Sequence, residues 1–407
     1  MALNPPDDRP LAGVRVLDLT RVVAGPHCTR LLAELVADVI KLEPPDGDQT
    51  RGARGASYPS PPGFVQLNVG KRLIAVDLAQ DEGRELVRRL AGAVDVMIEN
   101  FRPGVMASWG LDYASLAADN PALIYLSISG YGQTGTWRDR RAYAPFVHGE
   151  AGYLDTVAML RSADVEHDPM SIADLAAAKD ATITLLAALI QRGRTGTGQH
   201  IDISLAHSIF YLNEFAAQVL NGARSPRSGS TAQALFTTSD GHVFSAGNPV
   251  SSEVFATFCR SFQCPELIDD ARFVDSAARR QRRAEVIGVL QDALSKLGGI
   301  DEIEAVLNDA GLAVGRIRRL IDVPETEWAV DRGATMTAHV DGDAEVTLPS
   351  PPWRFSAAVD RADAQLGAFG ADNAAVLSEL LGLDATAIEG LYGRGVLRTA
   401  AIERAGA

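Results

Sequence analysis

Short apolar runs alternate with amphipathic ones through the first third of the chain. Residues 14–20, the second half of 36–43, 73–78, 94–99 and 123–129 are rich in Val, Ile and Leu and too short to be buried helices, so they are predicted as strands. Between them, residues 27–35 and 80–91 carry apolar positions at helical spacing, the second with its charges gathered on one face. Strands alternating with helices predict an α/β, doubly wound, Rossmann-like parallel sheet. Ligands of such sheets sit beyond the C-terminal ends of the strands. The loops 21–26, 100–104 and 129–135 all follow strands, so they are expected to line one crevice.

Further on, a long apolar helix starts near Asp174, runs through 182–189 and ends at 191–193, before a turn that feeds a strand ending near Ser204. A helix is predicted over 206–221. Residues 222–231, rich in Arg, Ser and Gly, read as a linker or mobile loop. Residues 233–239 and 242–246, joined at Asp240-Gly241, predict a hairpin with a type I′ turn. Helices follow at 252–262, 279–297 and 301–310, and a strand at 346–348. The expected organisation is a large sheet domain over 1–224, a smaller α+β domain over 225–335, and a C-terminal segment, 336–407, that returns to the large domain.

The 407 residues suit two domains or one large elaborated one. A net charge of −14 gives the chain no bulk attraction for nucleic acid or an anionic membrane, so an anionic ligand needs a local basic pocket. Cys28, Cys259 and Cys264 are odd in number and lack paired metal spacing. They predict a reducing compartment with no disulfide framework and no metal site, and Cys259 and Cys264, at the end of a predicted helix, are expected to be buried thiols. No window reaches the ~20 apolar residues of a membrane span, and the polar first residues do not resemble a signal peptide, so a cytoplasmic protein is expected. The first strand is not followed by Gly-x-Gly-x-x-Gly, and Gly130 to Gly135 reads as a plain glycine-rich turn.

Asp174 is the candidate reactive residue. It falls where a loop, Pro169-Met-Ser-Ile-Ala-Asp174, becomes a helix. A carboxylate in a first helical turn is favoured as an anion by the dipole and the unpaired amides. Such an aspartate is either a plain helix-start charge or a nucleophile that needs no neighbouring base.

The order and spacing of several motifs carry a resemblance. They include Leu11-Ala-Gly-Val-Arg-Val-Leu-Asp-Leu-Thr20, Ala37-Asp-Val-Ile-Lys-Leu-Glu43, Asn68-Val-Gly-Lys-Arg72 and Glu99-Asn-Phe-Arg-Pro-Gly-Val105. Ser129-Gly-Tyr-Gly-Gln-Thr-Gly135, Gly193-Arg-Thr-Gly-Thr-Gly-Gln199 and Ala310-Gly-Leu-Ala-Val-Gly315 follow. Together they resemble the family III CoA-transferases, the CaiB/BaiF group. The resemblance implies an interlocked homodimer. It also implies a reaction in which CoA passes from an acyl-CoA thioester to a small carboxylic acid through anhydride and thioester intermediates on Asp174. Coenzyme A is then a substrate moiety, with no tightly bound cofactor.

The same resemblance places Ala24, Val76, Asp77, Leu78, Ala79, Asn100, Phe101, Arg102, Arg141, Ala142, Tyr143 and Ala144 around CoA, with Arg102 and Arg141 as phosphate ligands. Lys71-Arg72 either adds positive charge there or is a solvated turn. Two departures from the family pattern touch the phosphates: Pro44 and Ser108 stand where arginines are frequent. Val23 and Ala53 replace the glutamine and tryptophan of formyl-CoA transferases, which implies a roomier apolar acyl pocket. Residues 225–231 hold one glycine where those enzymes carry a glycine run. Tyr143 falls where the related α-methylacyl-CoA racemases carry a catalytic histidine, and tyrosine is a poor acid/base replacement near neutral pH. A racemase or a non-catalytic acyl-CoA-binding protein are the alternatives. His148 is a second possible base, or a histidine at the surface or the edge of the core.

Overall fold

A computed structural model describes residues 9–52, 60–161, 163–222, 233–341, 344–356 and 364–399. Along the chain, β1 (Arg15–Asp18) leads to α1 (Ala24–Glu34), β2 (Asp38–Glu43), the short α2 (Pro62–Asn68), β3 (Arg72–Ala75), α3 (Asp81–Ala91) and β4 (Val96–Glu99). Two single-turn helices, α4 (Val105–Ser108) and α5 (Tyr113–Leu116), precede β5 (Ile124–Ser129). Then come α6 (Ala144–Glu150), α7 (Tyr153–Arg161), α8 (Ile172–Thr195), β6 (His200–Ser204) and α9 (Leu205–Leu212).

The six strands form one sheet in the order β3-β2-β1-β4-β5-β6, and every neighbouring pair is parallel. The side-chain alternation of a strand explains the two layers. Leu17 of β1 and Tyr125 of β5 face one core with Leu86, Val87 and Leu90 of α3. Val16, Ile124, Leu126 and Ile128 face the other, against Cys28 and Leu32 of α1 and Ala177, Ala181 and Leu185 of α8. Burial on both faces is why these strands read as continuous apolar runs rather than as alternating ones. The order reverses between β1 and β4, and the loops after those strands open at that switch point.

The chain divides into two compact units, residues 1–158, 164–216 and 331–407 in one, and 159–163 and 217–330 in the other. In the first unit, strands Thr335–Val340, Ala344–Pro349 and Gln365–Leu366 form a small sheet whose Ala338, Val346 and Leu348 pack with Phe64 and Val65 of α2. The second unit is built on a phenylalanine core, including Phe236, Phe244, Phe255, Phe258 and Phe262, beside the buried thiols Cys259 and Cys264.

Three elements differ from the pattern-based expectation. The helix predicted over 206–221 breaks at Asn213, whose side chain accepts the Phe215 N–H and donates to Thr156 Oγ1, so a local amide replaces the helical ladder. The helix predicted over 279–297 is two, Ser276–Gln281 and Arg283–Leu294, parted at Arg282. In the hairpin of Ala234–Thr237 and Val243–Ala246 only Gly241 takes positive φ, +83°, so the turn lacks the second left-handed residue that type I′ requires.

Candidate active site

Asp174 is the third residue of α8, at the end of the sheet where β1, β4 and β5 finish. Two backbone amides, those of Ala24 at the start of α1 and of Asp174 itself, favour its carboxylate as the anion. Among the described residues no cation neutralises it. Burial therefore outweighs the amides, and its pKa is pushed up to about 6. The helix-start argument predicts the opposite direction; desolvation is the reason it fails. Asp174 is still about nine-tenths ionised at pH 7.

The loop between β1 and α1 delivers the Ala24 amide, and side chains fix it residue by residue. Thr20 donates its N–H and its hydroxyl to Asp18 Oδ1, at 2.9 and 2.5 Å. Its carbonyl accepts Lys41 Nζ at 2.9 Å. Arg21 and Asn100 exchange two hydrogen bonds of 2.8 Å, which tie this loop to the one after β4. The N–H of Val22 points to Asp48 Oδ1 at 3.5 Å. Val22 itself has φ +68°, a left-handed conformation that costs a β-branched residue roughly 1–3 kcal/mol. The turn needs glycine next to it: a Cβ on Gly25 would lie 2.2 Å from Thr20 Cβ. The strained turn is thus held by the buried charges beneath it.

Asp174 opens on a cleft of about 400 Å³ lined by all three strand-end loops: Arg21, Val22 and Ala24, then Asn100 to Arg102, then Ser129 and Gly130. Arg141, Ala142 and Tyr143 form its outer wall, with Gln49 and Leu205. Ala142 comes within contact of the Gly130 backbone, where a Cβ would sit 2.1 Å from the Ala142 methyl. A neighbouring cavity of about 450 Å³ shares Arg21, Phe101 and Arg102, and adds Pro44, Pro45, Asp77, Leu78, Ala79 and Trp109. The two make one groove with an apolar far end and a cationic middle. Its arginines, Arg21, Arg102 and Arg141, outnumber its acids, Asp174 and Asp77. That is the local positive pocket an acidic chain needs to hold an anionic ligand. Arg102 donates to the Asp139 carbonyl at 2.8 Å and Arg21 lies 4.8 Å over the Phe101 ring, so both side chains are oriented without being neutralised by a carboxylate among the described residues.

Of the residues expected around the ligand, ten line this groove. Val76 is fully buried in one core layer, and Ala144, the first residue of α6, is buried in the other at 3% exposure; neither lines the groove. Val76 instead bridges to Leu397 and leads the chain to Asp77. Tyr143, the residue preceding α6, is exposed at the cleft mouth. Lys71-Arg72 is not a solvated turn. Lys71 is buried, with Nζ donating to Asp18 Oδ2, the Pro26 carbonyl and Asn68 Oδ1, and Arg72 pairs with Asp38 and Glu379. Neither is free to bind a phosphate. His148 is not at the surface or the core's edge but fully buried. Ser108 turns its hydroxyl to the Val105 carbonyl, and Pro44 lines the apolar end of the groove. Ala53 and residues 225–231 lie outside the described residues.

Sequence reasoning missed Arg21, Val22, Gln49 and Leu205. Arg21 and Val22 fall in a loop assigned to the crevice, but positive φ at a valine leaves no trace in residue type. Gln49 stands in a turn whose place is set by Asp48, which Lys41 holds at 3.0 Å.

The profile of CoA-transferase family III matches residues 11–373. The succinyl-CoA:glutarate CoA-transferase of Mus musculus is 33% identical over 96% of this chain and 90% of its own length. The succinyl-CoA–D-citramalate CoA-transferase of Chloroflexus aurantiacus is 33% identical over 93% of this chain and 96% of its own. A CaiB/BaiF family protein from Brucella suis, 34% identical, superposes with a TM-score of 0.81 over 91% of this chain and 99% of that one. The chain belongs to CoA-transferase family III.

Proposed function

We propose that this CoA-transferase moves CoA from a succinyl-type thioester to a small dicarboxylic acid through covalent intermediates on Asp174. The carrying observation is the placement of Asp174: a carboxylate with no cationic partner among the described residues, beside two amides at the head of a groove with three arginines. In the first step a carboxylate oxygen of Asp174 attacks the thioester carbonyl and CoA leaves as its thiolate. The acyl-aspartyl anhydride then takes the thiolate at the aspartyl carbonyl, which releases the donor acid and leaves an aspartyl-CoA thioester. The acceptor carboxylate displaces CoA there, giving a second anhydride. CoA thiolate attacks the acceptor's carbonyl and regenerates the Asp174 carboxylate. The Ala24 amide at the start of α1 is placed to stabilise the oxyanion formed at the aspartyl carbonyl. The thioester energy is conserved, and CoA is a substrate moiety throughout.

The dicarboxylate class is supported by the relatives, whose named acids, succinate, glutarate and citramalate, each carry two carboxyl groups. The nucleotide end of CoA is assigned to the apolar cavity beside Asp77 to Ala79, with Arg102 and Arg141 on its phosphates. A homodimer is supported by the exposed apolar side chains of α8 and α9, including Ile183, Ile190, Phe210 and Tyr211, 81% exposed. The test is an exchange screen read by mass spectrometry, with succinyl-CoA against a panel of mono- and dicarboxylic acids. Exchange confined to dicarboxylates is expected; turnover of monocarboxylates alone would contradict the substrate class.

A further inference from the structure

We propose that His148 is a positioning residue for the nucleophile: its imidazole caps the first turn of α8 through Nε2, and only the neutral tautomer protonated at Nδ1 does so. This rests on the reading of Asp174 as the nucleophile. The first amides of a helix have no partner within it. Ser171 stands at the capping position of α8 yet makes no side-chain cap. Instead the Ala173 N–H donates to His148 Nε2 at 3.1 Å, one residue before Asp174. The Asp174 amide favours its own carboxylate as the anion. An imidazole therefore takes one of the amides at the start of the helix.

An imidazole accepts at one nitrogen only when neutral, with its proton on the other. Nδ1 must then carry the proton, and it is buried without a hydrogen-bond partner among the described residues. His148 is fully buried and its Nε2 is already engaged, so it does not reach a substrate as a base. A protonated ring would present a second donor to the Ala173 N–H and open the cap. The surroundings resist this. Burial lowers the pKa of His148, His167 adds to that, and Asp168 opposes it. From α7, Tyr153 sits 5.2 Å from the ring and donates its hydroxyl to Asp168 Oδ2 at 2.8 Å, while the Met170 N–H occupies Asp168 Oδ1. On α6 itself Glu150 pairs with Arg140, and the titratable groups of α9, His207 and Tyr211, are exposed. The same short helix, α6, thus joins Tyr143 at the cleft mouth to the cap of the nucleophile's helix.

The test compares H148Q, whose amide oxygen accepts the same N–H, with H148L, of similar size and no acceptor. A cap worth its usual strength predicts a fall in kcat of about tenfold for H148L, with KM for the acyl-CoA within about twofold, and near wild-type kcat for H148Q. Equal loss in both variants, or none in either, overturns the proposal. A measurement on the wild type stands apart from any folding defect: ¹⁵N NMR of histidine-labelled enzyme, with His148 assigned as the signals missing from H148Q. A pyrrole-type Nδ1 and a pyridine-type Nε2 at neutral pH are expected; the reverse assignment contradicts the cap. Failure here leaves the role of Asp174 untouched, because trapping on Asp174 is read separately.

Discussion

Asp18 and Asp174 are two carboxylates at the same end of one sheet, and their surroundings drive them in opposite directions. Asp18, at the end of β1, is wholly buried, which alone would raise its pKa. Lys71 and Lys41 and the hydroxyls of Thr20 and Thr29 more than offset that, and hold it below the usual carboxylate range. Asp174 is less buried, yet among the described residues its only compensation is two backbone amides, and it rises to about 6. A carboxylate with cations on it is a fixture; one with amides alone keeps its lone pairs available at the edge of a cleft. The first carries the strained loop, and the second is aimed by it.

The comparison breaks most visibly at Asp174. Asp174→Ala removes the proposed nucleophile and leaves the groove, so transfer is expected to fall by about a thousandfold or more, with acyl-CoA binding retained. Steady-state kinetics beside calorimetry check this, and more than a few per cent residual activity would be incompatible with the assignment. Breaking the fixture acts on stability instead. Lys41→Met strands Asp48 in the interior, and removing one member of a buried pair costs about 3–5 kcal/mol. Urea denaturation measures it; a change under about 1 kcal/mol would mean the buried charges do not hold the loop.

The raised pKa of Asp174 makes a smaller, signed prediction. A carboxylate harder to ionise in the folded state than in the unfolded one costs nothing while protonated in both. Its cost appears as pH rises from about 4 through about 6. Asp174→Asn is therefore expected to be more stable than wild type by about 2–3 kcal/mol at pH 8, and equal to it below about pH 4. Thermal unfolding at both pH values decides, and a gain that is the same at both excludes the burial account. The same ionisation gives wild-type kcat an acid limb near pH 6.

The smallest effect concerns the groove. Arg102→Ala and Arg141→Ala are each expected to raise the dissociation constant of a CoA ester about tenfold, one charged hydrogen bond. The effect should shrink for a pantetheine thioester, which has no nucleotide phosphates. Equal weakening of both ligands would remove these arginines from the phosphates.

The parallel sheet was legible because strands buried on both faces are apolar throughout, and the loops after them marked the crevice before any side chain was placed. Asp174 was legible by its position at a helix start, but its pKa was not: that depends on the absence of cations, a property of the packed site. Lys71 and His148 were misjudged for a related reason. A lone lysine or histidine reads as solvated unless its partners are seen, and these partners, Asp18 and the Ala173 amide, stand 53 and 25 residues away. The left-handed turn at Val22 had no signal at all, since residue type argues against it.

The proposed nucleophile can be caught directly. Enzyme incubated with succinyl-CoA and hydroxylamine, then digested and mapped by mass spectrometry, is expected to carry a hydroxamate at Asp174, and none when the thioester is omitted. Exchange of CoA that proceeds at full rate with Asp174 unmodified, or a hydroxamate formed at another carboxylate, would contradict the account.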